Sequence, residues 1–248
     1  MELSSRELEA RTMVCLPLDG LDSLHQVESL VEELAPFVGL FKVGKESFTR
    51  FGPEVVARVR SRGGGVFLDL KYHDIPTTVR GAARAAVELG VEIFNVHASG
   101  GSAMMAAARQ GVEEAAANQG NPPKVIAVTV LTSIDQAMLN AECGVPGPLE
   151  GHVLRLARLA QAAGLDGIVC SAADLFALRE ELAPGFLFVT PGIKGTTTPA
   201  GADQKRVLSP GRAVRAGSSL LVVGRAITGA PDRRAAALEV LRDIANVL

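Results

Sequence analysis

The sequence predicts an α/β fold, a single-domain (β/α)8 TIM barrel spanning residues 1–248, on three observations. Eight short apolar runs alternate with about eight helix-patterned stretches, which is the count and spacing of that barrel. The chain has 248 residues and is 48% hydrophobic, ample for a large core in one big α/β domain or two small ones. Polar residues also recur at the C-terminal ends of the strand candidates, where such barrels carry their active groups. An open doubly wound sheet is the alternative, but it rarely needs eight evenly spaced units. No linker or shift in composition divides the chain.

Ser4 and Glu7 have capping-box spacing for a short leading helix, and the first strand candidate runs from Met13 to Leu18, ending at Asp19-Gly20. Asp22 is a candidate cap for the next helix, whose face is Leu24, Val27, Leu30, Val31 and Leu34, with Pro36 marking its end. Strand two is Gly39 to Val43 and carries Lys42; a helix from about Pro53 to Arg62 stops at Gly63-Gly64-Gly65. The run VFLDLKYHDIPTT, Val66 to Thr78, holds strand three, although periodicity alone does not separate it from a short buried helix. An Ala-rich helix, Val79 to Leu89, precedes strand four, Glu92 to Val96, and His97. A helix from Ser102 to Asn118 leads to strand five, Val125 to Leu131, with Thr132 at its end. His152 to Ala163 is helical, strand six is Gly167 to Cys170, a short helix spans Asp174 to Leu182, and strand seven is Phe186 to Thr190. A Gly/Thr/Pro-rich loop then runs to about Val207. A helix near Pro210 to Ala216, strand eight from Leu220 to Val223 ending at Gly224-Arg225, and a helix from Asp232 to Val247 complete the chain.

The bulk numbers exclude several classes. A formal net charge of -2 argues against a nucleic-acid groove or a membrane-surface protein, both of which usually concentrate basic residues on one face. The N-terminus lacks an apolar core of signal-peptide length, and no apolar run reaches membrane-span length. Cys15, Cys143 and Cys170 are odd in number and widely spaced, without a disulfide or zinc pattern, so a reducing compartment, the cytoplasm, is expected.

The chemistry centres on strand three. Alternate side chains of a strand share a face, so Asp69 and Lys71 are expected to point the same way, with Asp74 just beyond the strand and the three charges meeting at one spot. From these residues alone, a structural ion pair and a reactive site fit equally well. Asp19, Lys42, His97, Thr132 and Arg225 are expected at the same rim. The loop after strand seven carries Lys194, Gln204, Lys205 and Arg206 and is longer than usual for a barrel; with Gly224 and Arg225 it suggests a phosphate corner. His25, His73, His97 and His152 lack ligand spacing, and dinucleotide and Walker fingerprints are absent. No metal and no cofactor are expected, which leaves catalysis to side chains and electrostatics.

FLDLKYHDIPTT resembles the signature of the orotidine 5′-phosphate decarboxylases, bacterial type. LDG at Asp19, FKVG at Lys42, NVHASGG at His97, VLTS at Thr132, GLDGIVCSA at Gly164, TPGIK at Thr190 and VVGRAIT at Arg225 are similar to the same family in the same order. The resemblance implies decarboxylation of orotidine 5′-monophosphate to uridine 5′-monophosphate in pyrimidine biosynthesis. It implies that Asp19 and Lys42 hold the ribose and flank the orotate, that Thr132 lies against the pyrimidine, and that Asp69 lies beside the scissile carboxylate. Lys71 would protonate the ring carbon left behind, Gln204, Gly224 and Arg225 would bind the 5′-phosphate, and Asp74 and Thr78 would reach the partner's site in a homodimer. Many members have Arg where this chain has Lys194, and a Lys contact lacks the planar two-point grip on phosphate. Many also have Asn at the position of Thr77, where a hydroxyl can still cap the following helix.

Two other readings share the barrel. Metal-dependent sugar-phosphate decarboxylases or synthases resemble the chain at strand three but carry an acidic metal ligand at strand two, where Lys42 stands and opposes a divalent cation. A nucleotide-binding barrel without activity would have little reason to retain Asp69, Lys71 and Asp74 together.

Overall fold

A computed structural model describes residues 2–117, 121–193 and 208–248. Eight strands form a closed, all-parallel barrel in sequence order, β8 pairing back to β1. They are β1 Val14–Pro17, β2 Leu40–Gly44, β3 Gly65–Tyr72, β4 Ile93–His97, β5 Lys124–Val128, β6 Gly167–Val169, β7 Leu187–Thr190 and β8 Leu220–Val222. The helices are α1 Ser5–Thr12, α2 Leu24–Leu34, α3 Lys45–Phe51, α4 Glu54–Ser61, α5 Pro76–Glu88, α6 Gly101–Ala116, α7 Gln136–Ala141, α8 Leu149–Ala162, α9 Leu175–Glu181, α10 Pro210–Arg215, α11 Arg225–Thr228 and α12 Arg233–Ala245, with a 3-10 turn at Ala98–Gly100. The expected barrel is therefore present.

Strand alternation sorts the core into two layers. Cys15, Phe67, Ile93, Ile126, Val189 and Leu220, one from each of six strands, form a separate apolar cluster filling the barrel floor. Their strand neighbours, such as Leu16, Leu68, Phe94 and Leu221, face outward and pack with α2, α4, α5, α6, α8 and α12 into the larger cluster. On α2 the buried residues are Val27, Leu30, Val31 and Leu34, the predicted face.

Local chemistry explains most boundaries and several departures from expectation. The Ser4–Glu7 capping box is formed. Ser23, not Asp22, caps α2, accepting a bond from Gln26 N–H, because it is the residue immediately before the first helical turn. Helix α5 starts at Pro76 and not Val79, since a proline at the first helical position surrenders an N–H that would be unpaired in any case. Strand five ends at Val128 and not Leu131: its neighbour β6 is only three residues long, the register stops at Val128↔Val169, and Thr129 N–H makes a last bond to the Val169 carbonyl. Helices α3, α7 and α11 were not expected from the sequence; each is shorter than two full turns, too short for a clear apolar period.

The packing of α5 on α6 depends on a glycine. A Cβ on Gly111 of α6 would lie 2.4 Å from the Arg80 carbonyl oxygen of α5. Gly→Ala ordinarily favours a helix by about 0.8–1.0 kcal/mol. Here the backbone clash should dominate, so Gly111→Ala is expected to destabilise by about 1–3 kcal/mol, read as a lower urea midpoint; a higher midpoint would show that the two helices part at little cost.

Candidate active site

The C-terminal mouth of β1, β2 and β3 gathers four charges in alternating order. Asp19 follows β1 and remains half-exposed, whereas Lys42 on β2 and Asp69 on β3 are largely buried. Lys42 Nζ lies 3.3 Å from Asp19 Oδ1 and 3.3 Å from Asp69 Oδ2, and Lys71 Nζ lies 2.6 Å from Asp69 Oδ1. Two carboxylates and two ammoniums sum to zero, which is what permits such a group to sit in a partly dry site. Burial acts to lower the Lys42 pKa, but Asp69 and then Asp19 outweigh it, so Lys42 is held above the ordinary lysine range. One layer below on β1, burial pushes the Cys15 thiol up, and it stays neutral.

The backbone makes room for this array. Gly44 pairs with Asp69 across β2 and β3, and a Cβ there would fall 2.8 Å from Lys42 Nζ and 3.0 Å from Asp19 Oδ1. Any larger residue would displace the ion pair. The β3–β4 register passes from Leu68↔Phe94 directly to Tyr72↔Val96, so residues 69–71 oppose Asn95 alone. Within this bulge Lys71 has φ 54°, the sole positive value among the described non-glycine residues. Left-handed backbone costs an L-residue roughly 1–2 kcal/mol. Asn95 is fully buried; its Oδ1 accepts from Lys71 N–H at 2.8 Å and its Nδ2 donates to Asp69 Oδ1 at 2.6 Å.

The other predicted residues are placed as follows. His97 ends β4 with its ring 5.6 Å from that of His73, and burial, with His73, Lys45 and Lys71, holds its pKa below the ordinary value. Thr132 is exposed in the turn after β5, Gly224 is half-buried against Pro17, and Arg225 begins α11 at the rim. Asp74 does not join Asp69 and Lys71 within the chain, contrary to the expected meeting of three charges. The turn into Pro76 carries it outward, where Oδ1 accepts from Ile75 N–H at 2.6 Å. Thr78 is exposed in the first turn of α5. Lys194, Gln204, Lys205 and Arg206 lie outside the described residues.

Sequence reasoning missed Asn95 and Gly44. Asn95 had a usable signal, a lone amide inside the apolar run Ile93-Phe94-Asn95-Val96, since a buried polar group needs partners. Gly44 had none, because its role depends on register. Among the described residues, no group of three or more His, Cys, Asp or Glu side chains is arranged to hold a metal ion, and no helix is long and apolar enough to cross a membrane. Chemically, the mouth presents an ammonium beside a fixed carboxylate, an arrangement able to deliver a proton where negative charge develops.

Residues 12–240 match the family model described as "Orotidine 5'-phosphate decarboxylase / HUMPS family". The chain is 50% identical over 244 residues to an orotidine 5′-phosphate decarboxylase of Moorella thermoacetica, covering 97% of this chain and 95% of that one. It is 52% identical over 225 residues to the same-named protein of Nitrosococcus oceani, covering 90% and 93%. The crystal structure of orotidine 5′-phosphate decarboxylase from Lactobacillus acidophilus superposes with a TM-score of 0.82 at 38% identity, covering 93% of this chain and 98% of that one.

The raised pKa of Lys42 sets a pH signature. A group with its folded pKa raised stabilises the fold below its unfolded pKa and loses that contribution as pH rises through the folded value. The stability difference between wild type and Lys42→Met should therefore stay level from about pH 6 to about pH 9 and shrink above the ordinary lysine value of about 10.4. A difference that shrank near pH 8 in denaturant titrations would mean that burial outweighs the carboxylates.

Proposed function

The chain belongs to the orotidine 5′-phosphate decarboxylase / HUMPS family, and on that premise we propose how its barrel mouth carries the reaction. It decarboxylates orotidine 5′-monophosphate to uridine 5′-monophosphate in pyrimidine biosynthesis, without a cofactor and with Lys71 as the proton donor. The observation that carries this reading is the alternating array Asp19, Lys42, Asp69, Lys71 at the mouth.

The chemistry needs little else. The bond from ring carbon to carboxylate breaks, carbon dioxide leaves, and the electron pair stays on the ring carbon without a cofactor to receive it. A fixed cation that strengthens its interaction as that charge grows lowers the barrier, and transfer of the Lys71 proton completes the new C–H bond. Solvent then reprotonates the amine. Asp69 lies beside the substrate carboxylate, Asp19 and Lys42 hold the ribose and flank the orotate, and Thr132 contacts the pyrimidine. Gln204, Gly224 and Arg225 bind the 5′-phosphate, with Lys194 as a single-point contact. Phosphate binding far from the reacting carbon contributes binding energy to the rate.

The enzyme acts as a homodimer of single-domain chains, residues 1–248, in the cytoplasm. Asp74 and Thr78 are exposed on the turn into α5 and its first helical turn, from which they reach the partner's site. Lys42, charged between two carboxylates where the metal-using relatives place an acidic ligand, disfavours the sugar-phosphate reading.

Incubation with orotidine 5′-monophosphate should give the ultraviolet change to uridine 5′-monophosphate with or without chelator; absence of turnover in both arms would sink the reading, and loss only with chelator would favour the metal-using relatives. Lys71→Ala should lower kcat by at least about 10³-fold while product still binds, and a near-wild-type rate would remove Lys71 as donor.

Subunit mixing tests the shared site. Lys71→Ala and Asp74→Ala proteins, each inactive alone, should regain up to about a quarter of wild-type activity when dissociated and reassociated, since random pairing makes half the dimers mixed and each of those has one intact site. No recovery, in mixtures shown to have exchanged subunits, would place Asp74 in its own chain's site.

A further inference from the structure

We propose that Asn95 is a positioning residue for the proton transfer: its carboxamide ties the Lys71 backbone to the Asp69 carboxylate, setting donor and neighbouring charge at a fixed separation before substrate arrives. On the decarboxylase reading above, this assigns to β4 a part in a reaction whose alternating charge array comes from β1, β2 and β3.

The geometry is specific. Both ends of the amide are used, Oδ1 by Lys71 N–H at 2.8 Å and Nδ2 by Asp69 Oδ1 at 2.6 Å. Only one amide orientation satisfies both, because a backbone N–H needs an acceptor and a carboxylate needs a donor. Asn95 is 0% exposed, so water cannot replace either bond without opening the barrel. Its own backbone stays in register with Ile126 of β5, which anchors the side chain to the sheet.

The position of this clamp gives it leverage. The ladder between β3 and β4 is interrupted where Lys71 adopts φ 54°, so the Asn95 side chain occupies the place of a missing strand partner. Sparse backbone conformations persist only where the surroundings over-determine them. Asp69 Oδ2 faces Lys42, while Oδ1 receives both Lys71 Nζ and Asn95 Nδ2. Asn95 thereby fixes the rotation of the carboxylate independently of the flexible lysine. Without the amide, Lys71 retains a long side chain hinged on a backbone free to return to ordinary strand geometry, and a displacement of about 1 Å at a reacting group can cost about 10²-fold in rate.

Two variants and two kinds of readout test this. In Asn95→Ala, kcat should fall about 10²-fold while KM and the affinity for uridine 5′-monophosphate stay within about threefold, because no substrate contact is removed. A crystal structure of Asn95→Ala should show Lys71 out of the left-handed region and its contact with Asp69 opened. Asn95→Asp is nearly isosteric. Ionised, it sets a carboxylate against Asp69 beside Lys42, Lys71 and His97; protonated, it can donate to Asp69 and accept from Lys71, as the amide does. Its kcat relative to wild type should therefore recover as pH falls from about 8 to about 5, a response that general destabilisation would not produce. A kcat within threefold of wild type in Asn95→Ala, an unmoved Lys71 in its crystal structure, or a pH-independent ratio for Asn95→Asp would each overturn the clamp. If Asn95→Ala does not fold, the Asn95→Asp ratio decides. Wild type inert toward orotidine 5′-monophosphate would count against the decarboxylase reading instead, and the position of Lys71 in the Asn95→Ala crystal would still decide the clamp.

Discussion

The buried carboxylate of Asp69 constrains everything around it. An isolated ionised carboxylate in an apolar barrel costs far more than a marginally stable domain can tolerate. Here each oxygen is occupied, one by Lys42 and the other by Lys71 and Asn95. Lys42 is in turn neutralised on its far side by Asp19 at the solvent edge. The array runs from the half-exposed mouth into the barrel with no uncompensated charge. Removing one member of such a buried pair typically costs about 3–5 kcal/mol, so the residues that would perform the chemistry also hold one another in place.

The barrel supplies this arrangement through register and through one local violation of register. Parallel pairing sets Gly44 beside Asp69 and Lys42 beside Phe67, with the absent Gly44 side chain leaving space for the Lys42–Asp19 pair. On the other side of β3, a regular ladder to β4 would carry residue 71 forward in strand geometry. Instead the strand bulges, and Asn95 ties the displaced segment back. Strain is stored at Lys71, and it is supported by a buried amide anchored in the next strand.

Much of this was legible in the residues themselves. The three-and-four spacing of α2, the Ser4–Glu7 capping box and the apolar run entering β3 each express a local rule that tertiary packing did not override. Where local rules competed, the outcome depended on neighbours. Ser23 displaced Asp22 as cap by a single position, and strand five stopped with its short partner β6 although its sequence remained β-branched. Asp74 belongs with Asp69 and Lys71 by spacing, yet its carboxylate serves the turn into Pro76.

The sequence by itself determined the barrel, because eight apolar strands with intervening amphipathic helices bury their faces in few other ways, and it determined that Asp19, Lys42, Asp69 and Lys71 stand at the ends of β1, β2 and β3, because a strand end is a local property. Only the tertiary structure decided how those charges meet. The reach of Lys42 to both Asp19 and Asp69, the requirement for Gly44 and the grip of Asn95 on Lys71 and Asp69 are relations between strands more than 20 residues apart. Such relations follow from inter-strand register and from a bulge whose cost is offset by contacts on another strand, and neither is encoded in the local pattern of side chains.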